Sequence, residues 1–212
     1  MRGGAASYSE RGDILMKIGA IILAAGSSKR MGEPKLLLPV KEKPMFLHAV
    51  ERAIESNLSP IHVVAGKYIT QIERELIGLP VYTSFNKDYD KGMSTSLKLG
   101  IALVTGLCDA VIIFLADQPL VSLTVIESIK AKYMKCKSKI IRPKYNSVPG
   151  HPILFDGSLF SDFTLIEGDI GGKTIIERYK TELEWLEFEE EEWGRDIDTR
   201  EEYNQLLLKI DQ

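Results

Sequence analysis

Ile18-Gly19-Ala20-Ile21-Ile22-Leu23-Ala24-Ala25-Gly26-Ser27-Ser28-Lys29-Arg30-Met31-Gly32-Glu33-Pro34-Lys35 is the stretch that decides the fold. From Ile18 to Ala24 the side chains are too uniformly apolar to alternate between a wet and a dry face, so this half reads as a strand buried on both sides. The second half exchanges bulk for small residues, hydroxyls and three cations. A buried strand running straight into such a loop lets backbone come close to a ligand and presents N–H donors, which suits a polyphosphate. Arg30 can fork onto phosphate oxygens, and Lys35 can act as a mobile point charge on the phosphate that departs. Taken alone, a Gly/Ser/Lys loop is more often a solvated basic turn.

Working outward, buried-strand candidates recur at Ile61 to Ala65, Val81 to Ser84, Ala110 to Ala116 and Lys139 to Arg142, each bounded by Gly, Pro, Asn or Asp. Helical patterns lie between them. Leu47, Val50 and Ile54 share a face over Pro44 to Ser56, Ile72 and Leu76 over Thr70 to Ile77, and Val125, Ile126, Ile129 and Tyr133 over Ser122 to Met134. This βαβα alternation predicts an α/β protein, a three-layer αβα sandwich around a mostly parallel, Rossmann-like sheet. In such sheets ligands sit beyond the carboxyl ends of the strands. After residue 145 the rhythm changes to Pro/Gly-rich turns, the apolar run Ile153 to Phe155, a Gly-rich loop at 168 to 172 and the acidic tract Glu187 to Glu192, which reads as a solvated face. A capping box, Thr199 with Glu202, opens a last helix presenting Tyr203, Leu206, Leu207 and Ile210.

The 212 residues, 44% hydrophobic and 27% charged, suffice for one sizeable core, and residues 17–212 read as a single domain behind a disordered leader, 1–16. The net charge of −3 carries no basic block, so nucleic acid is not an expected partner and any anion must be held locally. Two cysteines without a CxxC pair, and three histidines, exclude a disulfide scaffold and a zinc knuckle, and fit a reducing cytoplasm. Ile18 to Ala25 imitates a signal-peptide core, but Glu10 and Asp13 precede it and cleavage would discard the first strand. No run approaches the ~20 apolar residues of a membrane helix.

Further chemistry gathers at strand ends. Phe114-Leu115-Ala116-Asp117-Gln118-Pro119 closes an apolar strand with a carboxylate, the placement a Mg²⁺ ligand needs beside a triphosphate loop, since Ser122 is better placed to cap the next helix. In Arg195-Asp196-Ile197-Asp198-Thr199, alternation puts Asp196 and Asp198 on one side, where they serve as second-ligand candidates or as decoration of the helix start. Lys91-Gly92-Met93-Ser94-Thr95-Ser96-Leu97 opens a helix with a Gly and three hydroxyls, an anion or ribose site or simply a cap, and Asn86 precedes it as a hydrogen-bonding candidate for base or sugar. The GxGxxG fingerprint is absent after the first strand, and Gly172-Lys173-Thr174 lacks the P-loop's first Gly and its preceding strand, so neither a Rossmann dehydrogenase nor a P-loop is expected. His48 and His62 read as structural.

The run LAAGSSKRMGEPK resembles the LAAGxSxRMGxxK signature of nucleotidyltransferases like the molybdenum-cofactor cytidylyl- and guanylyltransferases. The resemblance spans about Ile18 to Tyr203 and implies the nucleotide-diphospho-sugar transferase type of fold. It implies that Leu23 to Ser28, with Ala25 and Gly26 against base and ribose, line the nucleotide, together with Asn86, Gly92, Ser94 and Ser96, while Arg30 and Lys35 meet the triphosphate. Asp117 of the DQP motif would hold magnesium, with Asp198 second and Asp196 its neighbour. Gln118, Pro119, Gly150 and His151 of GHPILF, and Gly168, Asp169 and Lys173 of GDIGGK, would border the acceptor. Lys173 stands where the family usually has Arg, so a bidentate grip is missing there. Ala25 stands where the guanylyl branch usually has a second Gly. The implied substrates are CTP and molybdopterin, with a molybdenum hydroxylase as candidate partner. Alternatives are transfer to a sugar or alcohol phosphate, and a non-catalytic factor that binds and delivers finished cofactor.

Overall fold

A computed structural model describes residues 16–26, 31–168 and 171–210 of the chain. In order these form β1 (Ile18–Ala24), the short pair β2 (Pro39–Val40) and β3 (Lys43–Pro44), α1 (Met45–Glu55), β4 (Ile61–Ala65), α2 (Ile69–Glu75), β5 (Tyr82–Phe85), α3 (Met93–Val104), β6 (Ala110–Leu115), α4 (Leu123–Cys136), β7 (Ile140–Tyr145), β8 (Val148–Pro149), β9 (Ile153–Asp156), α5 (Lys173–Arg178), β10 (Leu183–Phe188) and α6 (Arg200–Ile210). The main sheet runs β10-β7-β9-β6-β1-β4-β5, with β8 hooked onto β7. All neighbours in it pair in parallel except β9, which is antiparallel to both β6 and β7, and the β8 hook. This is the α/β architecture that the alternating sequence pattern predicts.

β1 is central because its residues can be buried on both faces. Ala20, Ile22 and Ala24 pack with Phe46 and Val50 of α1, Ile72 of α2 and Ile126 and Ile129 of α4. Ile21, on the other face, packs with Leu97 and Ile101 of α3, Phe160 and Phe163 of the turn at Gly157–Leu165, and Ile175 of α5. Helical layers thus cover both sides. The face of α1 turned to the sheet is Phe46, Ala49, Val50 and Ala53, while Leu47 and Ile54 are only half-buried. Sequence periodicity favours the larger side chains, but the two alanines are what let the helix lie close to the sheet.

β10 is the strand that periodicity does not reveal. Its residues Leu183, Trp185, Leu186 and Phe188 are interrupted by Glu184 and Glu187, so neither period stands out. The structure accounts for the acids: Glu184 pairs with Lys132 at 2.9 Å and Glu187 with Lys144 at 2.8 Å, both at the exposed edge of the sheet. Charged residues on an edge strand also discourage pairing with another chain.

The tail returns across the molecule. Thr199 and Glu202 form the expected capping box, with the Thr199 N–H donating to Glu202 and the Glu202 N–H donating to the Thr199 hydroxyl. Tyr203 and Leu206 of α6 are buried with Ile197 against Val40 and Met45, and the Tyr203 hydroxyl donates to the Pro39 carbonyl at 2.7 Å. This small satellite core fixes the segment carrying Asp196 and Asp198. Leu206→Ala should lower the unfolding free energy by about 2–4 kcal/mol, read from urea denaturation. A change within ~0.5 kcal/mol would show that α6 is not docked.

Candidate active site

β1 and β6 are register neighbours, Leu23 opposite Leu115, so the loops leaving their carboxyl ends start side by side. From the first comes Lys35, in the single turn Lys35–Leu37, and from the second Asp117. The Lys35 ammonium donates to Asp117 Oδ2 at 2.8 Å and to Asp198 Oδ1 at 3.0 Å. Three segments far apart in sequence therefore meet on one nitrogen. Lys35 is only 8% exposed. Burial alone would lower its pKa, but the charge and hydrogen bond of Asp117, with those of Asp198, outweigh burial and raise it.

The rest of the tail is tied to the same point. The Ile197 N–H donates to the Asp117 carbonyl at 3.0 Å, and Arg200 pairs with Glu33 at 2.8 Å. The buried Gln118 amide donates to Gly194 O at 3.0 Å and Asp196 Oδ1 at 2.7 Å, while its own Oε1 has no partner among the described residues. Gln118, expected at the acceptor, thus uses its nitrogen to clamp the tail. At the exposed rim of the cleft, partial desolvation and the negative charges of Asp117 and Asp198 push the Asp196 carboxyl up to about 6, against the opposing Gln118 hydrogen bond.

On the other side of β1, the carboxyl ends of β4 and β5 supply a second wall. Gly66 follows β4 at a point where a Cβ would stand 2.8 Å from the Tyr89 ring and 2.9 Å from the Ala25 carbonyl, so only glycine lets this turn meet the first loop. Asn86 is buried, and its Nδ2 donates to the hydroxyls of Thr95 and Ser96 at 2.8 and 2.9 Å while its Oδ1 accepts from the Asp88 N–H. Its polar atoms brace the start of α3. Gly92 begins that helix at φ 108°, and no side chain among the described residues caps it, so neither Ser94 nor Ser96 plays that part. The Ser94 N–H donates to the Gly168 carbonyl at 3.1 Å, which brings the Gly-rich loop over the same helix end.

Of the other expected residues, Ala24 and Ala25 are buried at the end of β1, Leu23 is half-buried and Gly26 exposed. Pro119 is buried in the turn after Asp117, Lys173 is exposed at the start of α5, and Ser122, as expected, caps α4. Gly150 fits only because it has no side chain, since a Cβ would meet the Tyr145 ring at 2.5 Å. The His151 carbonyl accepts from the Tyr145 hydroxyl at 2.7 Å, and burial, then the Arg142 charge, push the His151 imidazole down to about 3. Ser27, Ser28, Arg30 and Asp169 lie outside the described residues. His48 Nε2 donates to the Val40 carbonyl and His62 stacks on Tyr82, away from this cluster. A separate hollow of about 460 Å³, lined by Cys108, Asp109, Tyr133 and Asp156, lies at the amino end of β6, the wrong end of the sheet for this chemistry.

Among the described residues no group of three or more His, Cys, Asp or Glu side chains is placed to hold a metal ion, and no helix is long and apolar enough to cross a membrane. Asp117 and Asp198 nonetheless offer two hard oxygens to one cation position, a donor set suited to a divalent ion whose remaining ligands are phosphate and water.

The chain is 32% identical to the molybdenum cofactor cytidylyltransferase of Escherichia coli over 65% of its own length and 69% of that protein's. It is 25% identical to the nicotine blue oxidoreductase of Paenarthrobacter nicotinovorans over 88% and 95% of the two lengths. The fold matches that of Rv0371c from Mycobacterium tuberculosis, solved in complex with manganese, with a TM-score of 0.73 and 22% identity over 91% of this chain and 99% of that one. Residues 20–183, which hold every strand just described from β4 to β9 and nearly all of β1, match the MobA-like NTP transferase domain, and the chain belongs to that family of nucleotidyltransferases.

Proposed function

We propose that the protein is a CTP:molybdopterin cytidylyltransferase. The terminal phosphate oxygen of the pterin attacks the α-phosphorus of CTP, the new P–O bond forms in line with the bond to the bridging oxygen, and pyrophosphate leaves with that electron pair. The observation that carries this reading is the meeting of Lys35, Asp117 and Asp198 on one cation position at the carboxyl ends of β1 and β6. Two carboxylate oxygens converging on one cation position make a hard donor set, which suits a divalent ion.

Asp117 and Asp198 would hold that ion, taken here as magnesium. When bound, it would reduce repulsion between two anionic substrates. Lys35, released from the carboxylates, becomes a point charge for the departing pyrophosphate, and Arg30 adds a fork-shaped donor to the same phosphates. No protein nucleophile is needed, because alignment and charge neutralisation suffice for this transfer. Asn86 and the start of α3 frame the nucleoside side, and Gly150, His151 and Lys173 border the acceptor. Ala25 in place of a second Gly supports cytosine over guanine.

Pyrophosphate release measured with each of four triphosphates, with and without molybdopterin and magnesium, tests this directly. Release should need CTP, the pterin and the metal together. Turnover with a sugar 1-phosphate but not with the pterin would move the acceptor to another class, and pterin-dinucleotide binding without any release would make the protein a carrier. Asp117→Ala should reduce turnover at least roughly a hundredfold, and Ser96→Ala far less. Equal rates for the two variants would remove Asp117 from the chemistry.

The ion cluster also has a stability signature. Lys35→Met should cost about 1–2 kcal/mol at pH 7, because it removes the donor that Asp117 and Asp198 share, and adding Asp198→Asn should recover part of the loss. With its folded pKa raised, Lys35 contributes fully below the ordinary value of 10.5, and the contribution fades only as pH rises beyond it. Additive losses in this double-mutant cycle would dissolve the cluster.

A further inference from the structure

The α3 side of the sheet is not covered to its edge. Along β7, Ile141 and Tyr145 turn to the α1 and α4 side, and Ile140 joins the core under α3 and α5. Arg142 and Lys144 alternate onto that second side and remain half-buried. Trp185 of β10 is the register neighbour of Arg142 and is 36% exposed. Its ring lies 6.0 Å from the Arg142 guanidinium carbon and 4.6 Å from the Lys144 nitrogen.

The two cations differ in one respect. Lys144 is paired with Glu187 at 2.8 Å. Arg142 has no carboxylate partner among the described residues. Its Nε donates to the Gly150 carbonyl at 3.0 Å, and burial is what lowers its pKa. A half-buried guanidinium with no carboxylate beside it among the described residues keeps its remaining N–H donors open to a ligand's anion. That hydrogen bond ties it to the Gly150-His151 segment, which borders the acceptor in the function proposed above. Burial and the Arg142 charge hold the neighbouring His151 imidazole neutral, so of these two side chains it is Arg142 that carries the positive charge.

We propose that Arg142 is a specificity-determining residue that grips an oxyanion of the acceptor, with the Trp185 ring as the apolar wall beside it. The planar fork supplies the bidentate contact that Lys173 cannot make, and the indole suits an acceptor that carries a flat ring near its phosphate. That acceptor identity rests on the cytidylyltransferase reading, whereas the oxyanion subsite does not.

Two measurements separate these claims. In the first, ¹⁵N spectra of the wild-type protein saturated with CTP and magnesium are recorded while inorganic phosphate is added. The Arg142 Nε–H resonance, identified by its loss in Arg142→Gln, and the Trp185 indole resonance, identified by its loss in Trp185→Phe, should both shift saturably. No shift would overturn the subsite. In the second, pyrophosphate release is measured against molybdopterin concentration at saturating CTP. Arg142→Gln should raise the acceptor KM at least tenfold and leave the CTP KM within twofold, and Arg142→Lys, which keeps charge without the fork, should recover only part. An unchanged acceptor KM, or an equal rise in both, would also overturn the proposal. Phosphate-dependent shifts in a protein that does not turn over molybdopterin would uphold the subsite and reject the acceptor.

Discussion

The ammonium of Lys35 between Asp117 and Asp198 is the contact on which the rest of the arrangement depends. It joins the loop after β1, the turn after β6 and the tail before α6, segments separated by 82 and 163 residues along the chain. The tail is held at this end of the sheet by that contact together with the small core that Ile197, Tyr203 and Leu206 form with Val40 and Met45. The Ile197-to-Asp117 backbone bond and the Gln118 clamp lie immediately around it, so charge and hydrogen bonding fix the same geometry twice. The cluster therefore holds the protein in a shape that already contains a cation position.

Much of this is legible in the sequence because the physics involved is local. β1 and β4 are predicted at their observed limits, since an uninterrupted apolar run of five to seven residues between turn formers fits a doubly buried strand and little else. Asp117 is found by its position at the end of a strand, and the Thr199–Glu202 box by a spacing that serves only a helix start. What escapes depends on pairing across distance. β10 is invisible because its acids are matched by Lys132 and Lys144, which lie 52 and 43 residues away. The inner face of α1 is misjudged because packing favours alanine where bulk alone favours leucine. Gln118 is expected at the acceptor from the resemblance, and the bonds its amide nitrogen makes to the tail are visible only in the fold. Arg142 sits in a run, Arg142-Pro143-Lys144, that looks like the frayed end of a strand until Trp185 is set beside it.

The reversed strand β9 explains why the two flanks of the β1–β6 pair are built differently. On the β4–β5 flank every strand is parallel, so loops of one polarity gather there and Gly66, Asn86 and the start of α3 meet in a compact wall. On the other flank β9 enters from the opposite direction, and its leading segment, Gly150-His151-Pro152, arrives at the end where β6 and β7 finish. One antiparallel strand thus adds a loop to the ligand end without requiring another crossover helix. It also places β7 one strand away from β6.

A chain with a net charge of −3 can still serve anionic substrates if its cations and anions are sorted in space. The acids of β10 and of the segment beyond it face solvent or pair with lysines at the edge, where they matter least to a bound phosphate. The two carboxylates at the centre are already matched by Lys35, so they do not act as bare repellers. Arg142 is placed in the opposite condition, half-buried and without a carboxylate beside it among the described residues. In the proposed function one economy of charge underlies both arrangements: the ammonium between carboxylates stands where a divalent ion would replace it, and the arginine without a carboxylate stands where an anion would arrive.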